Sequence, residues 1–264
     1  MDLSTLLYFL VSFPASIIGA LCGIGGGVII KPLLDLFNVG SVATISFLSG
    51  CTVLVMSLYS VEKSISAHES RVEFSVATPL AIGAAVGGVV GKQIFSMIST
   101  ASGDARLVGL IQSICLALVT LGTFLYTVKK DKIRTRQFNG KIPCVFVGLV
   151  LGILSSFLGI GGGPINLVVL FYLFSMDTKT AAQNSLYIIL FSQFASLVTT
   201  LVTGKIPEFE WIALLFMIIG GLAGGVMGRM LNSKLNSKKL DKIFLCAMAV
   251  IILISCYNAV KFAV

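Results

Sequence analysis

Charged residues are scarce in this sequence. Only 11% of its 264 residues are Asp, Glu, Lys or Arg, whereas a soluble domain carries about 25% because water must wet its surface. There is one histidine, and the six cysteines lie in apolar segments without the spacing of metal ligands. These shortages exclude a soluble enzyme, a secreted disulfide scaffold and a disordered chain. We expect no catalytic residue, no metal site and no cofactor.

Long apolar runs take the place of the missing charges. The sequence is 56% hydrophobic, its mean hydropathy is +1.02, and a membrane-spanning helix needs about 20 apolar residues. Two runs, 5–37 and 143–175, are too long for one crossing and too short for two. We therefore predict an all-α, polytopic membrane protein, with single spans near 41–61, 74–98, 105–128, 180–203, 209–231 and 243–263.

Both long runs contain the same interruption. Gly-Ile-Gly-Gly-Gly stands at 23–27 and again at 159–163, an offset of 136. A ladder of glycines four residues apart, ending at Lys92, recurs at an offset of 137 and ends at Arg229. Such small-residue ladders are typical of closely packed membrane helices. The ladder glycines are Gly83, Gly87 and Gly91 in one copy and Gly220, Gly224 and Gly228 in the other.

A stripe of hydroxyl residues supplies a third repeated landmark. It starts at Ser46 in one copy and at Ser185 in the other, an offset of 139. Three landmarks in the same order predict two homologous transmembrane repeats, 1–128 and 142–264, joined by the basic linker 129–141.

Charge placement orients these repeats in the membrane. The linker and the basic stretch 229–242 should be cytoplasmic by the positive-inside rule, with the loop 204–210 outside. Run 143–175 must then begin and end inside, as a re-entrant hairpin, and run 5–37 must enter from the opposite face. The prediction is two inverted repeats, each a hairpin plus three transmembrane helices, with both termini outside. The net charge of +8 reflects this topology, and no basic patch interleaved with aromatics indicates nucleic-acid binding.

The glycine interruptions predict the functional site. Non-helical backbone is tolerated at membrane depth only where it is buried or lines a cavity. A second helix starts after each interruption, so its first N–H groups and its positive dipole end can bind an anion. We expect the backbone of Gly25–Gly27 and Gly161–Gly163 to form a paired anion cradle; the alternative is a packing hinge. A phosphate-binding loop is excluded because no Lys-Ser/Thr pair follows the glycines.

Polar residues next to the glycine segments extend this candidate site. Burying a side-chain amide in an apolar span costs free energy unless the amide has hydrogen-bond partners. The same cost applies to Gln193, further along the same span. The hydroxyls have an alternative role, since they can bond to their own helix or join neighbouring helices. The predicted substrate-binding side chains are Ser46, Ser49, Asn166, Gln183, Asn184 and Ser185.

Lys31 and Asp35 are an opposite-charge pair inside the second half of run 5–37. Lys31 lies about one turn beyond the glycines, where its charge could join the anion cradle as a further substrate-binding group. The pair could equally neutralise itself and extend outward to the membrane surface. The equivalent positions of the other repeat are Leu167 and Phe171, so the fold does not require the pair.

The glycine segments also carry a family resemblance. The stretches 23–33, 159–164 and 182–185 resemble the TauE/SafE family of membrane transporters, although Pro164 follows the glycines only in the second copy. The resemblance implies a secondary transporter that exports sulfite, a sulfonate or a related anion across the bacterial inner membrane. We expect transport by rocking one half against the other, with lipid and a small anion as partners. A passive anion channel and a non-transporting scaffold are the alternatives; substrate, direction, coupling ion and oligomeric state stay open.

Overall fold

A computed structural model of the chain describes residues 3–67, 70–138 and 140–263; the lone histidine, His68, lies outside them. The described residues form helices connected by short loops, as expected for an all-α protein. The helices are α1 (Leu3–Cys22), α2 (Gly27–Phe37), α3 (Val42–Ser66), α4 (Phe74–Ser102), α5 (Ala105–Lys129), α6 (Lys141–Leu158), α7 (Pro164–Phe174), α8 (Thr178–Val202), α9 (Trp211–Lys234) and α10 (Ser237–Ala263).

Each long apolar run folds into a hairpin of two helices. The Tyr8 hydroxyl of α1 donates to the Val39 carbonyl just after α2, at 2.6 Å. The Arg136 amide, ahead of α6, donates to the Tyr172 carbonyl of α7 at 2.7 Å. Each hairpin therefore turns back towards the end from which it started.

Seven described helices are long and apolar enough to cross a membrane, namely α3, α4, α5, α6, α8, α9 and α10. The chain is thus an integral, multi-pass membrane protein by length and composition. Helix α6 is longer than expected for half of a re-entrant hairpin: its 18 residues extend about 27 Å, close to the hydrocarbon thickness of a bilayer.

The molecule has two distinguishable ends. We call the end with the loop 204–210, between α8 and α9, the loop end, and the end with the linker 129–141, between α5 and α6, the linker end. At the loop end, the Thr44 hydroxyl near the start of α3 donates to the Glu208 carbonyl in the loop between α8 and α9. At the linker end, Lys130 pairs with Asp241 at 2.6 Å. The first hairpin leads into α3 at the loop end, whereas the second follows the linker at the opposite end. These contacts favour the inverted arrangement of the repeats, which stays a prediction.

The glycine ladders join one repeat to the other. A methyl group at Gly87 of α4 would overlap the Leu149 carbonyl oxygen of α6, and one at Gly224 of α9 would overlap the Phe13 carbonyl oxygen of α1. Each ladder thus lets its helix pack directly on the first helix of the other repeat, which confirms the packing role expected from the pattern. The repeats are consequently interleaved, and the rocking of one half against the other stays a prediction.

We expect Gly87→Ala to lower the free energy of unfolding by about 1–3 kcal/mol, because the added methyl group must push α4 and α6 apart. Thermal unfolding of the detergent-purified protein measures this effect. Gly122→Ala on α5 is the matched control, since the space beside Gly122 is open and alanine favours a helix. Equal melting temperatures for the two variants would contradict close ladder packing.

Candidate functional site

The first glycine apex is the reversal between α1 and α2. The amides of Gly23 and Ile24 both donate to the Gly19 carbonyl, which closes the end of α1. Gly23 and Gly25 have φ angles of 76° and 74°, a left-handed conformation that side chains disfavour. Helix α2 then begins at Gly27 without a side-chain cap, so the positive end of its dipole is at the apex.

The second apex repeats this geometry between α6 and α7. Gly159 and Gly161, the equivalents of Gly23 and Gly25, have φ angles of 66° and 76°. Gly162 and Gly163 are also left-handed, at 120° and 152°, whereas the first copy is already helical at Gly26. Pro164 accounts for part of this difference, because the residue before a proline is disfavoured in the helical region, so Gly163 does not start α7 in the way that Gly27 starts α2.

The two apexes lie against each other in the interior. A methyl group at Gly27 would overlap the Ile160 carbonyl oxygen, and one at Gly25 would lie 3.6 Å from the Gly161 carbonyl oxygen. Ile24 and Ile160 are 0% and 2% exposed. The convergence expected from the sequence is therefore what the structure has: neither bend is splayed away or bathed in solvent.

Buried oxygens without hydrogen-bond partners surround this contact. A methyl group at Gly27 would lie 2.9 Å from Ser49 Oγ, and one at Gly159 would lie 2.6 Å from Ser46 Oγ. These two hydroxyls and Asn166 Oδ1 are buried and have no partner within the described part of the chain. A buried polar atom left in this state costs about 1–3 kcal/mol, which makes these three groups candidates for binding a ligand.

Two residues outside the predicted set also line the apexes. A methyl group at Gly26 would lie 2.9 Å from Ser16 Oγ, another buried hydroxyl without a partner. The Gln193 amide lies beside Gly161, with its Cδ 3.3 Å from a methyl group built there. Helical spacing could have found both: Ser16 is seven residues before Gly23, and Gln193 is eight after Ser185.

Gln183 and Asn184 hold a loop instead of touching the paired glycines. Gln183 Oε1 accepts from the Arg71 amide at 2.7 Å and from Ser64 Oγ at 3.0 Å. Asn184 Oδ1 accepts from the Glu73 amide, and its Nδ2 donates to the Arg71 and Thr180 carbonyls. Both amides therefore anchor the segment ahead of α4. Ser185, next along α8, is fully buried and its hydroxyl has no partner among the described residues.

Lys31 and Asp35 form a buried ion pair. Lys31 Nζ lies 2.7 Å from Asp35 Oδ2, and both side chains are 3% exposed, so the alternative of an outward-extending pair is wrong. The pair faces a cavity of about 10 Å³ between α2, α5 and α10, which has room for a single water molecule. Four oxygens lining it have no partner in the described chain: Asp35 Oδ1, Gln112 Oε1, Ser255 Oγ and Asn258 Oδ1.

We expect Lys31→Met and Asp35→Asn each to lower the free energy of unfolding by about 3–5 kcal/mol, since either change leaves one buried charge without its partner. The double variant Lys31→Met/Asp35→Asn should recover most of this loss. Chemical denaturation in detergent compares the three proteins. Additive losses in the double variant would contradict a direct pairing of the two charges.

Comparison with known proteins identifies the family of this chain. The family described as "Sulfite exporter TauE/SafE" matches residues 8–254. "Probable membrane transporter protein YunE" of Bacillus subtilis (strain 168) is 24% identical over 222 residues, which are 78% of this chain and 80% of that protein. No solved structure matches the chain. The family match spans nearly the whole sequence and confirms the resemblance carried by the glycine segments, so the chain belongs to the TauE/SafE family and is a multi-pass membrane transporter, not an enzyme.

Proposed function

We propose that the protein is a secondary carrier that exports a small oxyanion, such as sulfite or a sulfonate, across a bacterial inner membrane. The observation that carries this proposal is the contact of the two glycine apexes in the interior, among buried hydroxyl and amide groups without partners. The family description, which names a sulfite exporter, supports the choice of substrate class.

The ligands we propose are backbone N–H groups at Gly25–Gly27 and Gly161–Gly163. Helices α2 and α7 start there without side-chain caps, and N–H groups at helix starts favour a negative charge. Ser46, Ser49 and Asn166 can each donate a hydrogen bond to the same anion. A sulfite or sulfonate group, with three oxygens, can accept from both apexes at once.

Lys31 has a smaller part in this proposal than the sequence indicated. Its charge is compensated by Asp35 at 2.7 Å, and its cavity is too small for an oxyanion. We assign the pair to holding α2 in place, behind the apex. Gln183 and Asn184 likewise contribute by fixing the start of α8, whose Ala182 contacts Gly23, and Ser185 lies on the same helix.

The contact between the apexes also favours a carrier over a passive channel. Gly27 lies directly against Ile160, so an anion passes only if the helices that bear the apexes move. Because α4 packs on α6 and α1 on α9, we propose moving bodies that each contain helices from both repeats.

An anion that binds the folded protein should raise its melting temperature by mass action. We expect sulfite or one of thiosulfate, taurine, sulfoacetate and isethionate to do so in detergent, and a carboxylate control to do so less. Ser49→Ala should weaken the binding about 10- to 100-fold, the worth of a hydrogen bond to a charged group. Thr120→Val, at another buried hydroxyl without a partner, is the matched control; equal losses in the two variants would contradict a site at the apexes.

A carrier and a channel differ in counterflow. Proteoliposomes loaded with unlabelled sulfite should transiently accumulate labelled sulfite above equilibrium, because one alternating site exchanges the two pools. Gly27→Ala should abolish this overshoot, since its methyl group overlaps Ile160. Gly40→Ala, where a methyl group makes only ordinary contacts, should leave it unchanged. Simple equilibration without overshoot would identify a channel.

A further inference from the structure

Two open clefts lie at opposite ends of the protein. The loop-end cleft, of about 520 Å³, is bordered by Lys92 and by Thr199 of α8. The linker-end cleft, of about 430 Å³, is bordered by Arg229 and by Lys179 of α8, and a cavity of about 30 Å³ lined by Ser60 continues it inward. Lys179 and Thr199 are 20 residues apart on one helix, a separation of about 30 Å.

Equivalent residues of the two repeats line these clefts. Lys92 and Arg229 occupy the same position after the glycine ladders, at the offset of 137 that also relates Ser96 to Ser233. Residues of α3 line the inner cavity at the linker end, and residues of α8 line the loop-end cleft. These two sets are related by the offset of 139. The pairs lining the two ends are Lys92 and Arg229, Ser96 and Ser233, Thr199 and Ser60, and Thr203 and Ser64.

Both clefts are positively charged. Lys92 and Lys205 line the loop-end cleft, where Lys205 Nζ donates to Ser96 Oγ at 2.7 Å. Arg71, Lys179 and Arg229 line the linker-end cleft; Asp177 offsets one of these charges by its 3.6 Å contact with Arg71. Among the described residues no acidic side chain lines either cleft. Cations set in a concave surface raise the local concentration of anions and their rate of association.

Each cleft leads towards a glycine apex. The inner cavity of the linker-end cleft is lined by Ala182, whose Cα would touch a methyl group at Gly23. The loop-end cleft is lined by Ala43, and Ser46, three residues further along α3, lies against Gly159. The inner cavity at the linker end therefore reaches the first apex, and the loop-end cleft comes within about one helical turn of the second.

We propose that the two clefts are equivalent docking sites for the transported oxyanion, one on each side of the membrane, with Lys92 and Arg229 as the corresponding cationic ligands. The proposal rests on the proposed function. Ammonium or guanidinium groups beside Ser and Thr hydroxyls suit a small oxyanion, and the headgroup phosphate of an anionic lipid offers the same chemistry. The carrier's substrate is the occupant we infer, because both clefts lead to the apexes.

Sided transport kinetics test this proposal. Initial rates of ³⁵S-labelled sulfite uptake are measured in right-side-out and inside-out membrane vesicles from bacteria that express the full chain. Arg229→Gln should raise KM about three- to tenfold from the linker-end side only, and Lys92→Gln from the loop-end side only. In each case kcat should change less than twofold, and high salt, which screens the attraction, should shrink the difference from the native protein.

Matched variants separate docking from a loss of folding or of general charge. Arg229→Lys and Lys92→Arg keep the charge and should restore a near-native KM. Lys239→Gln and Arg106→Gln remove exposed cations outside the two clefts and should leave KM unchanged on both sides. Native melting temperatures confirm that each variant is folded.

The possible results distinguish this proposal from the proposed function. If the native protein carries no sulfite in either vesicle type, the proposed function fails for this anion and the docking sites fail with it. If it transports sulfite but each variant changes KM equally from both sides, or from neither, only the docking sites are refuted. Proteoliposomes of neutral lipid decide the occupant: KM effects that appear only when anionic lipid is added would assign the clefts to lipid headgroups.

Discussion

Irregular backbone inside a bilayer must be enclosed by protein, because lipid offers no partner for an exposed N–H or C=O group. This chain interrupts two membrane-embedded hairpins with glycine and then packs the two interruptions on each other. The overlap between Gly27 and the Ile160 carbonyl that any side chain would create shows how close the two backbones are. The surrounding helices bury both points, since Ile24 and Ile160 are almost inaccessible to solvent.

Interleaved packing holds the helices that lead to this contact. Helices α1 and α6 each lead to an apex, and each is held by the glycine ladder of the other repeat's fourth helix, α9 or α4. Each ladder helix therefore packs on the helix that leads to the apex of the opposite repeat. The most extensive helix pairings of the fold therefore join one repeat to the other.

Sequence equivalence does not make the two repeats identical in chemistry. One repeat has the buried Lys31–Asp35 pair where the other has Leu167 and Phe171. Among the residues that the structure describes, three cations line the linker-end cleft and two line the loop-end cleft. These differences make the two ends of the protein chemically distinct.

Much of this protein could be predicted from its sequence. Apolar runs of membrane length, a repeated glycine motif and the charge of the loops indicate helices, hairpins and two repeats, since each depends on local composition and chain order alone. Contacts between helices do not depend on local composition alone, so the sequence does not predict them. Gln183 and Asn184 look like site residues because buried amides are costly, yet the structure satisfies them with the backbone of 71–73, whereas Gln193 reaches the apex. The sequence by itself determined the membrane fold and the two glycine bends; only the tertiary structure decided which polar groups surround them, because a helical face finds its partners through packing with helices far along the chain.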